Sequence, residues 1–429
     1  MSKKVFECIE CGYTSPKWMG KCPGCGAWDS FIEAKEEKKR KISSKSKILK
    51  LDEIEKEEIQ RFSTGNSELD LVLGGGVVPG ELVLIGGSPG VGKSTLMLKL
   101  AGNIDKKVLY IAGEESPSQI KLRAERLNLK NKNLFIMPEI VLENFIDEIK
   151  NYDLVIIDSI QTIYSNEIQS APGSVSQVRN ATFELMRVAK ENKIPIFIVG
   201  HITKEGSIAG PRVLEHMVDC VLYFEGEISN EIRILRAFKN RFGSTSEIGI
   251  FEMKNSGLEV AKNRLFFDKK PTPGSVVSVI LEGSRPIILE VQALVSESYS
   301  IPKRSATGFD INRLNMILAL LEKKLNIPLN RYDVFINVAG GIKITETGAD
   351  LAIIMAIVSS FKNRPISKES IFIGEVSLVG DIREVAGIEQ RLKEAANLGF
   401  KKAIIPSKIN LPGIKTYEVK EVEKLFEWL

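Results

Sequence analysis

Between residues 51 and 270, short apolar runs alternate with longer amphipathic ones. The runs at 82–85, 108–112, 154–157, 196–199, 221–224 and 232–237 are rich in Val, Ile and Leu and have the length of strands. Most carry no polar alternation, the pattern of strands covered on both faces. Between several of them, at 119–127 and 177–191, apolar positions return every three to four residues, as on one face of a helix. This order predicts a mostly parallel α/β sheet, with the last strands added as an antiparallel meander. Lys269-Lys270-Pro271-Thr272-Pro273-Gly274 then interrupts the pattern. Beyond it a second α/β pattern begins: strands at 275–281 and 287–295, a helix at 311–325, a strand at 333–338 and a helix at 349–361. Ahead of it lie a Cys-rich module at 1–30 and a basic linker at 31–50. The expected domains are therefore 1–30, 51–270 and 271–429, with residues 31–50 joining the first two.

Composition narrows this only a little. A chain of 429 residues suggests about two to four domains. The 59 basic residues against 55 acidic ones leave a net charge of +4, too small to mark a nucleic-acid binder on its own. Charge does cluster in residues 33–50, with eight Lys/Arg against three Glu. That run reads either as a solvated tether or as a basic arm for phosphates. The first residues hold no apolar signal segment, and the longest apolar run, 351–361, falls short of the ~20 residues that span a bilayer. No membrane association and a cytoplasmic location are expected.

The strongest chemical signal is Gly87-Ser88-Pro89-Gly90-Val91-Gly92-Lys93-Ser94, followed by Thr95. It matches G-x-x-x-x-G-K-[ST] and lies between a predicted strand and a helix-like run, the context the motif requires. Its glycines let backbone N–H groups turn inward around a triphosphate. Lys93 can reach the outer phosphates, and Ser94 can complete a Mg2+ shell. The site is expected to bind a nucleoside triphosphate, taken as ATP, with Mg2+; the motif alone does not fix the base.

Three further positions extend that site. Asp158 ends the apolar run 154–157 and is the expected second Mg2+ partner. Glu114 and Glu115 follow the run 108–112; one can polarise an attacking water, with Glu114 the first choice and Glu115 the second. An acidic pair there also suits a helix N-terminus, and that reading covers at least one of the two. His201 follows the run 196–199, either as a structural histidine or as a sensor of the γ-phosphate.

Cys8, Cys11, Cys22 and Cys25 form a C-x2-C, ten residues, C-x2-C array. Each pair places two thiolates on one turn, and two turns supply the tetrahedral S4 shell that Zn2+ favours. One structural Zn2+ per chain is expected. Trp18 and Trp28 flank the array, with Lys17 and Lys21 interleaved. Packing of a small core is the first reading of the tryptophans, and stacking on bases is the second. Cys220, alone in an apolar stretch, reads as a small buried hydrophobe.

Taken together, these motifs resemble the bacterial RadA/Sms DNA-repair and recombination proteins over essentially the whole chain. The cysteine array, the phosphate loop and the segment His201-Ile202-Thr203-Lys204-Glu205-Gly206 carry the likeness. So do Gly210-Pro211-Arg212-Val213-Leu214-Glu215-His216-Met217-Val218-Asp219 and the pentapeptide Lys239-Asn240-Arg241-Phe242-Gly243, the family's signature. The resemblance implies an α/β fold: a RecA-like P-loop ATPase core, an N-terminal zinc knuckle and a C-terminal Lon-protease-like α/β domain. It also implies a DNA-dependent ATPase forming rings, with a homo-hexamer expected. Single-stranded DNA and branched recombination intermediates would be substrates, branch migration the action and the RecA recombinase a partner. By the same likeness Lys239 and Arg241 reach the γ-phosphate held by a neighbouring subunit. The loops at 165–179 and 206–212 line a central channel, making Arg179, Lys204 and Arg212 candidate phosphate contacts.

The segment 374–388 resembles the C-terminal domain of Lon proteases. Such a peptidase needs a serine activated by a lysine. The matching segment, 344–350, contains no serine, and Glu389 stands where the lysine is expected. The domain is expected to be a scaffold without peptidase chemistry, with Lys343, Arg383, Arg391 and Lys393 as candidate basic surface. Two other classes remain in view: an ATP-dependent protease and a signalling ATPase of the circadian-clock type.

Overall fold

The structure is a computed structural model that describes residues 5–8, 13–34, 50, 60–200, 212–226, 231–254, 256–261, 265–266 and 270–429. The expectations for Cys11, His201 and Lys204 therefore lie outside the described residues. Contacts divide the chain into two units, one ending at Val260 and the other running from Ala261 to Leu429, with a short exchange around residues 229–232.

The N-terminal part of the first unit is a three-stranded antiparallel sheet. Its strands are β1 (Val5–Cys8), β2 (Thr14–Ser15) and β3 (Phe31–Ala34), in the order β2-β1-β3. Its core is Cys8, Cys22 and Phe31, with Phe6 and Met19 packed against them. The tryptophans are not part of it, which corrects the packing reading. Trp18 is 52% and Trp28 71% exposed, and Lys21 Nζ lies 5.5 Å above the Trp28 ring.

The rest of the first unit is built on a nine-stranded sheet. A short helix α1 (Ser67–Val72), capped by the Asn66 side chain, precedes it. In chain order come β4 (Leu82–Gly87), α2 (Lys93–Asn103), β5 (Val108–Ala112), α3 (Pro117–Arg126) and β6 (Leu134–Met137). There follow α4 (Leu142–Phe145), β7 (Leu154–Asp158), α5 (Val175–Asn192), β8 (Ile196–Val199), α6 (Arg212–Met217) and β9 (Cys220–Glu225). The last strands are β10 (Ile232–Asn240), β11 (Ile248–Lys254) and β12 (Gly257–Val260). The order is β12-β11-β10-β9-β4-β8-β7-β5-β6. Strands β9, β4, β8, β7, β5 and β6 are mutually parallel, whereas β10 on β9 and β12 on β11 are antiparallel.

Alternation within each strand divides the interior into two cores. Val83, Ile85, Val108, Tyr110, Ile156 and Phe197 face Leu96, Met97 and Leu100 of α2 and Ile120 of α3. Leu82, Leu84, Leu109, Ile111, Val155 and Ile157 face Val178, Ala181 and Leu185 of α5. Both faces being covered is why these strands read as uninterrupted apolar runs. All the strands of the parallel set end on one edge, where ligands of open α/β sheets bind.

The expected loop at 165–179 is shorter than the sequence suggested. Ser174 caps α5 by accepting from the Gln177 N–H, so the helix begins at Val175 and Arg179 lies in its second turn, exposed.

The second unit carries its own sheet, in the order β16-β17-β15-β14-β18-β21-β22, with β13 (Leu265–Phe266) paired to β15. The strands are β14 (Ser275–Glu282), β15 (Arg285–Glu297), β16 (Arg304–Thr307), β17 (Tyr332–Val338), β18 (Ser370–Phe372), β21 (Lys402–Ile405) and β22 (Lys415–Glu418). A small hairpin pairs β19 (Glu375–Val376) with β20 (Ile382–Arg383). Helices α7 (Ile311–Leu325), α8 (Asp350–Lys362) and α9 (Ile388–Asn397) complete the unit.

Candidate functional site

The phosphate loop leaves β4 at Gly87 and enters α2 at Lys93. Its glycines answer two steric demands. A Cβ on Gly87 would lie 2.5 Å from the Phe224 carbonyl oxygen, and Gly92, at φ +113°, has Met253 and Leu258 within 3.2 Å of any added Cβ. Gly92 caps α2 without a side-chain hydrogen bond, so the first N–H groups of that helix face the loop. Such an N-terminus is a ready anion site. Lys93 is buried and folds back, donating to the carbonyls of Gly87 (2.7 Å) and Ser88 (3.0 Å). Burial lowers its pKa, opposed by the nearby carboxylates of Asp158 and Glu114. An ammonium so placed gains most when an anion enters.

Asp158 ends β7, two parallel strands away from β4, and only 9% of it is exposed. Its Oδ2 accepts from the buried Tyr110 hydroxyl at 2.5 Å. Burial, then the Asp158 charge, raises the tyrosine pKa well above its ordinary value, so Tyr110 stays a donor. Neighbouring β5 leads to Glu114, where the Gly113 N–H donates to the Asp158 carbonyl at 2.8 Å. The fully buried Ser159 donates its hydroxyl to Glu114. Glu115 pairs with Arg123 of α3. The two glutamates therefore have different partners: Glu114 shares an electrostatic neighbourhood with Lys93 and Asp158, and Glu115 is held by an arginine of α3. The hydroxyl of Ser94 and the carboxylate of Asp158 are hard oxygen donors of the kind Mg2+ takes, so the residues fit that ion.

Three contributors were not singled out from the sequence. Tyr110 is the one hydroxyl within the apolar run 108–112, and Ser159 directly follows Asp158. Both carried a weak signal, a polar atom where the pattern asks for an apolar one. Arg233, on β10, is buried and donates Nε to the Val91 carbonyl of the phosphate loop at 3.2 Å. A contact spanning more than a hundred residues leaves no local mark in the sequence.

Lys239 and Arg241 are engaged within their own chain. Lys239 Nζ donates to the carbonyls of Glu215 (2.7 Å), His216 (3.2 Å) and Val218 (2.8 Å), closing the C-terminal end of α6. Burial lowers its pKa, and the charge of Arg241 lowers it further. Arg241 pairs with Asp219 at 3.1 Å, and the same carboxylate receives Lys190 at 2.6 Å and the Leu82 N–H at 3.1 Å. Asn240 donates to the Val72 carbonyl and accepts from the Phe242 N–H, shaping the pentapeptide turn. Gly243 packs on Gly74, where an added Cβ would meet Gly74 Cα at 2.8 Å. Arg212 begins α6.

In the N-terminal module the sulfurs of Cys8, Cys22 and Cys25 lie within 4.8 Å of one another, a spacing suited to one metal ion. The Gly24 N–H points at Cys22 Sγ (3.3 Å), a contact that steadies a thiolate ligand. Cys220 is buried and its thiol pKa is pushed well up by burial, as expected of a small core residue.

In the second unit Arg391 is 1% exposed. It grips both oxygens of Glu346 and also donates to the carbonyls of Val279 (2.7 Å) and Ala386 (3.1 Å). This corrects its assignment to basic surface; Lys343, Arg383 and Lys393 are exposed. Gly348 lies in the segment where a peptidase would carry its serine, and an added Cβ there would meet Arg391 and Glu346 at 3.1 Å.

Comparison with known proteins finds matching family models and relatives. Residues 6–33 match a rubredoxin metal binding domain, 50–207 an AAA domain and 310–409 subunit ChlI of Mg-chelatase. The DNA repair protein RadA of Campylobacter jejuni is 59% identical over 100% of this chain and 99% of its own. That of Bacillus subtilis is 51% identical over 96% and 94%, and that of Aquifex aeolicus 49% identical over 100% and 99%. Among solved structures, the RadB recombinase (24% identical, TM-score 0.39) is covered over 99% of its length by 47% of this chain. A KaiC-like protein of Pyrococcus horikoshii (18% identical, TM-score 0.39) is covered to the same extents.

Proposed function

The chain belongs to the DNA repair protein RadA family, and from that premise we propose that it is a ring-forming, DNA-stimulated ATPase that moves along single strands and drives branch migration of recombination intermediates. The observation that carries this reading is the convergence of Lys93, Asp158 and Glu114 on the carboxyl edge of one parallel sheet.

The chemistry follows from the side chains. The N–H groups of residues 88–95 and the Lys93 ammonium hold the β- and γ-phosphates of ATP. Ser94 and Asp158 hold Mg2+, which when bound neutralises phosphate charge. Glu114 accepts a proton from a water as the water oxygen bonds to the γ-phosphorus and the bond to the ADP oxygen breaks. Ser159 aims Glu114 and Tyr110 aims Asp158. His201 senses the γ-phosphate. Lys239 and Arg241 leave their intrachain partners and stabilise the γ-oxygens of a neighbour's ATP, each site being completed by the next copy in a homo-hexamer. Arg179, Lys204 and Arg212 contact DNA phosphates. Cys8, Cys11, Cys22 and Cys25 hold one structural Zn2+, and the RecA recombinase is the protein partner in the cytoplasm.

A protease reading has little chemical support, because residues 344–350 contain no serine and Arg391 with Glu346 occupies the space beside Gly348. The direct test is a synthetic three-strand DNA junction with ATP. The chain should displace one strand and the Lys93→Ala chain should not; equal displacement by both would refute the motor reading.

A further inference from the structure

The turn that carries Lys239 and Arg241 is held by a cation with no role in the chemistry above. Arg61 precedes Phe62, whose N–H donates to the Val77 carbonyl at 3.1 Å and whose carbonyl accepts from the Val77 N–H at 2.9 Å. This bridge runs beside Gly74-Gly75-Gly76, the run that leaves α1. All three glycines stand at positive φ, and a Cβ on Gly76 would lie 2.6 Å from the Phe62 carbonyl oxygen. The missing side chains let the backbone of residues 61–62 close against the end of α1.

The Arg61 side chain crosses that end to the pentapeptide. A Cβ on Gly75 would lie 3.8 Å from its Cδ, and one on Gly74 3.5 Å from its Nη1. Nη1 donates to the carbonyl of Leu73, the C-cap of α1, at 3.2 Å. Nη2 donates to the carbonyl of Phe242. A guanidinium is a planar fork of fixed donors, so the two bonds together set the distance between the two carbonyls. Asn240 Nδ2 on the Val72 carbonyl and the close approach of Gly243 to Gly74 join the same two segments.

Lys239 and Arg241 are held in another way. Their partners are the α6 carbonyls and Asp219, and both side chains must leave these to reach another copy's nucleotide. Arg61 grips main-chain oxygen, so it can stay in place while those side chains swing. The ladder does less to fix the turn, because the pairing of β10 with β9 shifts register between Ala237 and Lys239, just before it.

We propose that Arg61 is a positioning residue for this turn: by holding the Leu73 and Phe242 carbonyls together it sets where Lys239 and Arg241 stand when they reach a neighbour's γ-phosphate, which rests on reading those two cations as completing a neighbour's site. Arg61 touches neither nucleotide nor water. It acts through the main chain that carries the two cations, and groups that stabilise a transition state lose much of their effect when displaced by about 1 Å.

The test measures DNA-stimulated ATP turnover, ATP affinity and the thermal midpoint of the full chain as wild type, Arg61→Met and Arg61→Lys. Methionine keeps an apolar stem and removes every donor; lysine keeps the charge and can serve one carbonyl, not the fork. Arg61→Met should lose turnover by about tenfold or more while ATP affinity stays within about threefold, a loss in kcat and not in binding. Arg61→Lys should fall between the two, and it carries the same readings if the methionine chain shows no folding transition. Added to wild-type chain, Arg61→Met should depress turnover by more than its share, as Arg241→Ala should; a chain that merely folds poorly would lower it in proportion. Wild-type turnover in both Arg61 variants overturns the proposal, as does a loss of ATP affinity as large as the loss of turnover. A proportional effect of the Arg61 variant beside a more than proportional one of Arg241→Ala overturns the proposal and leaves the trans site standing. Proportional effects of both refute the trans site, and the proposal with it.

Discussion

Two adjacent acidic residues at the carboxyl edge of the sheet show how environment assigns roles. Glu114 faces Lys93 and is held by Ser159, while Glu115 is held by Arg123. Glu114→Gln should therefore keep nucleotide affinity and lose turnover by about 10²–10⁴-fold in a steady-state assay. Glu115→Gln breaks only a partly exposed pair and should change stability by no more than about 1 kcal/mol and turnover little. Equal losses would show that the two are not divided in this way. Glu81, at the start of β4, is 1% exposed, and burial raises its pKa from 4.5 to about 8, with the Val78 N–H opposing and Asp219 adding. The folded chain then holds a proton that the unfolded chain has lost. That stabilisation is complete below pH 4.5 and drains away as pH rises through about 8. Urea unfolding of Glu81→Gln across this window should lack the decline seen in the wild type. The sequence exposed Glu114 and Glu115 as a pair, but which one serves the site depends on Ser159 and Arg123, and no spacing rule encodes those contacts.

Elements were legible where burial is two-sided or strictly periodic. The runs at 108–112 and 196–199 and the helix at 311–325 are as expected, because a strand covered on both faces and an amphipathic helix each leave a full pattern. Short or half-exposed elements were not: β6, with no buried residue, and the four-residue α4 leave too little periodicity to read. The cysteine spacing pointed to the metal site, where three of the four sulfurs lie close together, yet the tryptophans beside it, read first as core, are exposed. Cys8→Ser should release the bound metal, measured by elemental analysis of the purified chain; full retention would count against a site built on that thiolate. In the second unit the Arg391–Glu346 pair ties α9 to β14 and to the segment before α8. Arg391→Met leaves Glu346 without its buried cation and should cost about 3–5 kcal/mol in denaturant unfolding. A loss under about 1 kcal/mol would mean that solvent reaches the pair.

At the scale of the whole molecule, the question is whether one copy holds a complete site. Lys239 and Arg241 are occupied by α6 carbonyls and by Asp219, so a role in a neighbour's site requires them to change partners. If they do, Arg241→Ala should bind ATP normally, and adding it to wild-type chain should depress turnover by more than its share of the mixture. Strictly proportional turnover would place each site within a single copy. The family motif made these two residues visible in the sequence; only the fold shows what holds them in the meantime. The central claim is that ATP hydrolysis at this phosphate loop serves movement on DNA. ATP turnover measured with and without single-stranded DNA across a salt series tests it most directly. Turnover should rise with DNA, and the rise should fall steeply as salt increases, because phosphate contacts release counterions. Turnover that is the same with and without DNA at every salt concentration would contradict the claim.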